Sequence, residues 1–246
     1  GIRVALDAGE GSKIEMFSVF MQQMARVGVT HRDKLTVEER QMIDYYIPEE
    51  DWDGYNPAIA DGIKSSAGSG NYEQWIENLS WMIGDWFVVG THYINEYIDA
   101  FLALTSGYWF LDDVSHAEVL GYGDDTDLGL LYTFNVSATS EFEGVESRTY
   151  FPALLSLYQK IVNGNCYYSW PIVSILFKPA FYCWLLVLVM FSHGYRKENS
   201  KQLLSLCVLM YLFTLLLGPV VNMRYVYPIM VVVPVLLAQV FEVDSK

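Results

Sequence analysis

Cysteine is scarce, with three in 246 residues. That excludes a disulfide-rich scaffold and any zinc site built from paired CxxC motifs. Charge is scarce too, at 18%, against about 25% in an ordinary soluble domain. Basic residues are the rarer sign: 15 Lys+Arg stand against 29 Asp+Glu, a formal net charge of −14. With no basic patch to meet phosphates, nucleic acid is not a partner. There is no HxxxH or HExxH pair, which argues against a zinc hydrolase. There is no GxSxG turn and no glycine-rich phosphate loop. What the chain has instead is apolar: 52% hydrophobic and 15% aromatic, with a mean hydropathy of +0.21. Such a chain can bury far too much surface to stay disordered.

The averages hide a split at Pro171. Residues 1–170 hold 26 Asp+Glu and 9 Lys+Arg, a net charge of −17; residues 171–246 hold 3 and 6, a net charge of +3. The second part contains three apolar runs, at about 171–193, 202–221 and 225–241. A bilayer core about 30 Å thick takes about 20 apolar residues as a helix. The first two runs meet that length. The third is shorter and carries Pro228 and Pro234. Buried core helices are the alternative, but three in succession with short connectors would leave no amphipathic face. The sequence therefore predicts an acidic extracytoplasmic domain, 1–170, followed by three transmembrane helices. Arg196, Lys197 and Lys201 place the 194–201 loop in the cytoplasm by the positive-inside rule, and residues 1–170 outside. Lys178 would snorkel to the headgroups, beside an aromatic belt of Tyr167, Tyr168 and Trp170. The expected location is the bacterial plasma membrane, with membrane lipids as partners. The chain opens on Gly1 without a signal peptide, so a longer protein with spans upstream is expected.

The acidic segment has helical periodicity. Phe17, Phe20, Met21 and Met24 share one face. Thr36 with Glu39 forms a capping box that opens a helix ending before Pro48. Trp75, Leu79, Met82 and Trp86 line another face, and Ile94, Ile98, Phe101 and Leu102 the next. Pro152 suits the first turn of a helix that Gly164 would close. The class is mainly α, with a short β-hairpin where Leu128 to Val136 is rich in strand formers. Residues 62–71 form a loop. Trp75, Trp86 and Phe101 are expected in the core. Cys166 is the only cysteine outside the apolar runs, which suits a bacterial surface. Asn78 and Asn135 fit the glycosylation sequon by chance.

Two sets of residues could carry chemistry. Asp112, Asp113, Asp124, Asp125 and Asp127 cluster around His116. They are either a calcium or other divalent cation site, completed by Glu143 or Glu146, or a solvated acidic loop. Their spacing lacks the EF-hand order. His31, His92 and His116 are isolated from one another along the chain, as surface or core histidines are. Arg224, with Tyr225 beside it, lies between the last two apolar runs. It is either a lipid-phosphate ligand or an interfacial anchor.

Three stretches form a recognisable set: residues 15–27 (EMFSVFMQQMARV), 96–109 (EYIDAFLALTSGYW) and 222–228 (NMRYVYP). They resemble the C-terminal half of large, uncharacterised polytopic proteins of bacteria, mostly Firmicutes. Those in turn look like GT-C glycosyltransferases and mannosyltransferase-like membrane enzymes. The resemblance implies transfer of a sugar from a polyprenyl-phosphate-linked donor to an acceptor outside the membrane. The acidic catalytic residue of GT-C enzymes sits in a first outer loop near the N-terminus, which has no counterpart here, so no catalytic residue is carried over. Only Arg224 and Tyr225 match a carrier-contacting position. The alternative is a non-enzymatic membrane protein whose outer domain binds a cell-envelope component or a protein partner.

Overall fold

The computed structural model describes residues 16–63, 78–111, 150–163, 171–176 and 178–241. Its described residues are mainly helical and contain no strand, only isolated bridges from Asn56 to Ile59 and from Ile59 to Val220. The helices are α1 (Ser18–His31), α2 (Val37–Tyr46), α3 (Leu79–His92), α4 (Ile94–Thr105), α5 (Pro152–Asn163), α6 (Pro171–Leu176), α7 (Pro179–Tyr195), α8 (Asn199–Leu215) and α9 (Met223–Phe241). A 3-10 turn at Glu49–Gly54 follows α2, and another at Ser106–Tyr108 follows α4. The chain forms two compact units. One runs to Leu104 and takes in Leu217–Val220; the other holds Thr105–Leu216 and the chain from Val221 on. The hairpin expected at 128–136, Trp75, Cys166 and most of the 62–71 loop lie outside the described residues.

In the first unit α1 is the central element. Phe17, Met21 and Met24 are buried along one face, as their spacing predicts, with Phe20 packed beside them. The helix runs on to His31, past Met24. Thr36 and Glu39 make the predicted capping box: the Thr36 hydroxyl accepts from the Glu39 N–H, and the Glu39 carboxylate accepts from the Thr36 N–H. The helix then stops at Ile47, ahead of Pro48, whose ring disfavours α geometry at the preceding residue. Trp52, fully buried, donates its indole N–H to the Ile47 carbonyl at 2.9 Å and lays its ring on Gly28. The Gln23 amide, buried in α1, donates to the Tyr97 carbonyl and accepts from the Trp86 indole N–H. It is thus satisfied on both sides, as a buried amide must be.

The face of α4 differs from the expectation. Tyr97, Ala100 and Leu104 are buried, while Ile94, Ile98 and Leu102 are exposed. Tyr97 decides the rotation: its ring fills the space a side chain at Gly90 would need, and its hydroxyl donates to the Trp86 carbonyl at 2.9 Å. Phe101 and Trp86 are half-buried rather than central. α5 starts at Pro152, as the sequence predicts.

The second unit corrects the expectation of three transmembrane helices. The first apolar run divides at Lys178: α6 has 6 residues and α7 has 17, starting at Pro179. The second yields a 17-residue helix that begins earlier, at Asn199, and stops at Leu215. At ~1.5 Å per residue, 17 residues reach ~26 Å, short of the ~30 Å hydrocarbon core. The 19-residue α9 has Arg224 in its first turn and Pro228 and Pro234 inside it. Among the described residues no helix is long and apolar enough to cross a membrane. That finding overturns the integral plasma-membrane assignment, with its topology, its belt and its snorkelling Lys178. Instead α7, α8 and α9 pack on one another, around Leu186, Val189, Val226, Ile229, Val233 and Leu236.

The α7–α8 connection closes with a Schellman pattern. The Lys197 N–H donates to the Gly194 carbonyl, and the Glu198 N–H to the His193 carbonyl. Lys197 takes the left-handed position, φ 59°, where glycine is usual. Arg196 and Lys201 donate to the Val240 and Gln239 carbonyls near the end of α9, favourable partners for the negative pole of a helix.

Two glycines give opposite expectations. A Cβ at Gly28 would sit 2.8 Å from the Trp52 ring, whereas one at Gly84, in α3, meets nothing within 4 Å. Gly28→Ala should therefore destabilise the protein by about 1–3 kcal/mol. Gly84→Ala should stabilise it by about 0.5–1 kcal/mol through helix propensity. Urea titration of the two variants checks both signs.

Candidate functional site

Helices α2 and α3 run antiparallel, and two polar ties fix the pairing. Near one end, the Glu39 carboxylate meets His92 Nδ1 at 2.7 Å. Near the other, the Tyr46 hydroxyl donates to Asp85 at 2.7 Å. The ties are seven residues apart on each helix, about 10 Å at the α-helical rise. Met82 and Val89 of α3 are buried, with Trp86 packed against them. Trp81, Asp85 and His92 follow a different helical stripe (i, i+4, i+11).

A cleft of about 430 Å³ opens between the two helices, within the size range of small-ligand sites. Its α2 wall is Glu38, Gln41, Met42, Tyr45 and Tyr46; its α3 wall is Asn78, Trp81 and Asp85. Trp81 is 75% exposed and Tyr45 53% exposed, so two large aromatic faces are offered to solvent beside carboxylates and amides. Tyr46 stands edge-on to Tyr45, with ring centroids 5.0 Å apart. Burial pushes the Tyr46 phenol pKa up, and its hydrogen bond to Asp85 adds to that, so it stays a neutral donor. Asp85 is thereby held in one orientation.

Two of the histidines that look isolated along the chain, His31 and His92, are paired in space. His31 Nε2 lies 2.6 Å from Glu96, and its ring lies 4.8 Å from that of Tyr93. The Tyr93 hydroxyl donates in turn to Glu39 at 3.3 Å. Two imidazole–carboxylate pairs therefore flank one tyrosine. The Glu39 side chain is 8% exposed and that of His92 61%. Burial raises the Glu39 pKa, but hydrogen bonds from the Thr36 N–H, His92, the Thr36 hydroxyl and Tyr93 outweigh it, and the net shift is downward. The hydrogen bond from His31 lowers that of Glu96 against a smaller burial cost. Neither pair is visible as a motif, because the partners lie 53 and 65 residues apart.

The residues singled out from sequence lie elsewhere. Arg224 and Tyr225 occupy the first turn of α9, and the Tyr225 carbonyl accepts from the Tyr211 hydroxyl at 2.7 Å. Asp112, Asp113, Asp124, Asp125, Asp127, His116, Glu143 and Glu146 lie outside the described residues. Among the described residues no group of three or more His, Cys, Asp or Glu side chains is placed to hold a metal ion. Cys183 is buried, and desolvation pushes its thiol pKa up to about 12, which leaves it unreactive.

The fold and cleft define a helical protein with an aromatic, carboxylate-lined depression in its first unit. The chain belongs to a family of unknown function, DUF6020, whose model matches residues 3–246. No curated protein and no solved structure matches the chain.

Two depressed carboxylates make the first unit acid-labile. Each contributes stability that is present above its unfolded pKa, about 4.3, and is lost as pH falls through the lower folded value. The urea midpoint of the wild type should drop between about pH 5 and pH 3. Glu96→Gln should flatten that drop, and midpoints measured across the series check it.

Proposed function

We propose that the first unit binds a carbohydrate in the α2–α3 cleft, in keeping with a protein that recognises a cell-envelope component. The observation that carries the reading is the pair of solvent-facing rings, Trp81 and Tyr45, set beside Glu38, Gln41, Asn78 and Asp85. A sugar ring has apolar C–H faces and a polar rim. Aromatic side chains offer a flat apolar body at low entropic cost, and carboxylates and amides accept and donate to adjacent hydroxyls. The cleft has no lysine or arginine to meet a nucleotide's phosphates. Trp81→Ala removes a ring that the core does not use, so the fold should persist. Affinity for a bound oligosaccharide should fall about tenfold or more, about 1.4 kcal/mol. Glycan-array screening followed by calorimetry on parent and variant checks it, and an array without a single binder sinks the reading.

Sugar transfer from a polyprenyl-phosphate-linked donor, which the resemblance implies, is a second reading. It is favoured by His92, whose Nδ1 is oriented by buried Glu39 while its side chain is mostly exposed. That is the arrangement of a carboxylate-oriented general base. On this reading His92→Gln, whose amide N–H can still donate to Glu39 and keep the α2–α3 tie, abolishes transfer from a lipid-linked donor while oligosaccharide affinity stays within about twofold. Unchanged transfer in the variant would reject it.

A further inference from the structure

We infer that the cleft selects a cationic amino sugar over neutral and acidic ones. This inference rests on the carbohydrate reading above and names the class of sugar. The cleft walls contain two carboxylates, Glu38 and Asp85, and no lysine or arginine. The surroundings have the same sign. Residues 16–63 and 78–104 hold twelve Asp+Glu against four Lys+Arg. Three of those four cations are already engaged: Arg26 with Asp99, Arg32 with Asp53, and Arg40 with Glu49. Little positive charge is left to attract a uronate or a sugar phosphate, and the acidic walls repel both.

An ammonium group gains twice in this setting. The exposed faces of Trp81 and Tyr45 attract a cation through the ring quadrupole. The Asp85 carboxylate, held by the Tyr46 hydroxyl, presents a fixed negative charge close to those rings. A neutral sugar can stack on the rings and bond its hydroxyls, but it gains neither the charge pairing nor the cation–π contact. Because the cleft is open to water, the charge part of the selectivity is salt-sensitive.

The test is isothermal titration calorimetry on the full chain at about pH 5.5, well below the ~7.7 of an α-amino group, because neighbouring oxygens lower an amino sugar's amine further. The probes are short oligomers of glucosamine, N-acetylglucosamine and galacturonic acid, with choline as a cation that is not a sugar. Glucosamine oligomers are expected to bind about tenfold tighter than the acetylated ones, and to lose most of that advantage between low and high salt. Galacturonate oligomers should not bind. Glu38→Gln and Asp85→Asn should bring the two sugar affinities together. Asn keeps an acceptor for Tyr46, and circular dichroism confirms the fold. If the acetylated oligomers bind as tightly as glucosamine, or if the variants keep the preference, the cationic selectivity is overturned and the carbohydrate reading stands. If galacturonate binds best, the assigned charge of the ligand is wrong. If none of the three sugars binds, the cationic selectivity is overturned and the glycan array decides the carbohydrate reading; if choline alone matches the glucosamine oligomer, the carbohydrate reading fails as well.

Discussion

The Glu39 carboxylate is the interaction on which the first unit's geometry turns. One oxygen takes the Thr36 N–H and so closes the first turn of α2; the other meets His92 at the far end of α3. A carboxylate buried to this degree costs several kcal/mol unless its lone pairs are met. Here the Thr36 N–H, His92 and the Tyr93 hydroxyl meet them. The same group therefore caps one helix and docks another. Because the tie sits near the end of the α2–α3 pair, it sets the antiparallel register that the Tyr46–Asp85 bond completes two turns away. The cleft is the gap left along that register. Its width follows from side chains that are not in it.

The division of labour along α3 follows from the helical period. Residues at 82, 86 and 89 face the core, and positions 81 and 85 lie on the stripe beside it. Trp81 is largely exposed and lies outside the core, and Asp85 is anchored by Tyr46 without being buried. Trp81 can therefore vary without touching the α2–α3 ties, whereas Asp85 serves both the tie to Tyr46 and the cleft wall. Ion pairing explains why a net acidic surface is tolerated here. Arg26, Arg32 and Arg40 each neutralise an acid on a neighbouring segment, while Glu38 and Asp85 face the cleft.

Local signals were legible in the sequence; pairings across the chain were not. The capping box, the stop before Pro48 and the start at Pro152 are each decided within a few residues, and each forms as the sequence predicts. The face of α4 was misassigned because that helix is apolar on more than one side. The deciding contact, Tyr97 against Gly90, depends on a neighbouring helix. The histidine–glutamate pairs were hidden for the same reason: a search for metal or catalytic spacing looks along the chain, and both pairs close across it. The cleft itself left one trace, Trp81 on a helix whose Trp86 is needed elsewhere. The carboxylates Glu38 and Asp85 gave no signal, since isolated acids on helices are common.

The second unit shows why a continuous apolar run does not by itself fix what a segment does. In α9, Val226, Ile229, Val233 and Leu236 are fully buried. Their spacing of three and four residues marks one stripe within a segment that is apolar all round. Pro228 and Pro234 both fall on exposed positions, so the rings sit away from the packed stripe. The core thus uses one side of the run, while Val231 and Val235 on α9, with Leu188 and Phe191 on α7 and Leu203 on α8, are left exposed. Among the described residues, one set of polar contacts lies at the α7–α8 connection. There His193, fully buried, shares Ser205 and lies near Glu198, and Arg196 and Lys201 hold the last carbonyls of α9. Packing by the stripe fixes how the three helices touch. The charges at one end tie the α7–α8 connection to the last turn of α9.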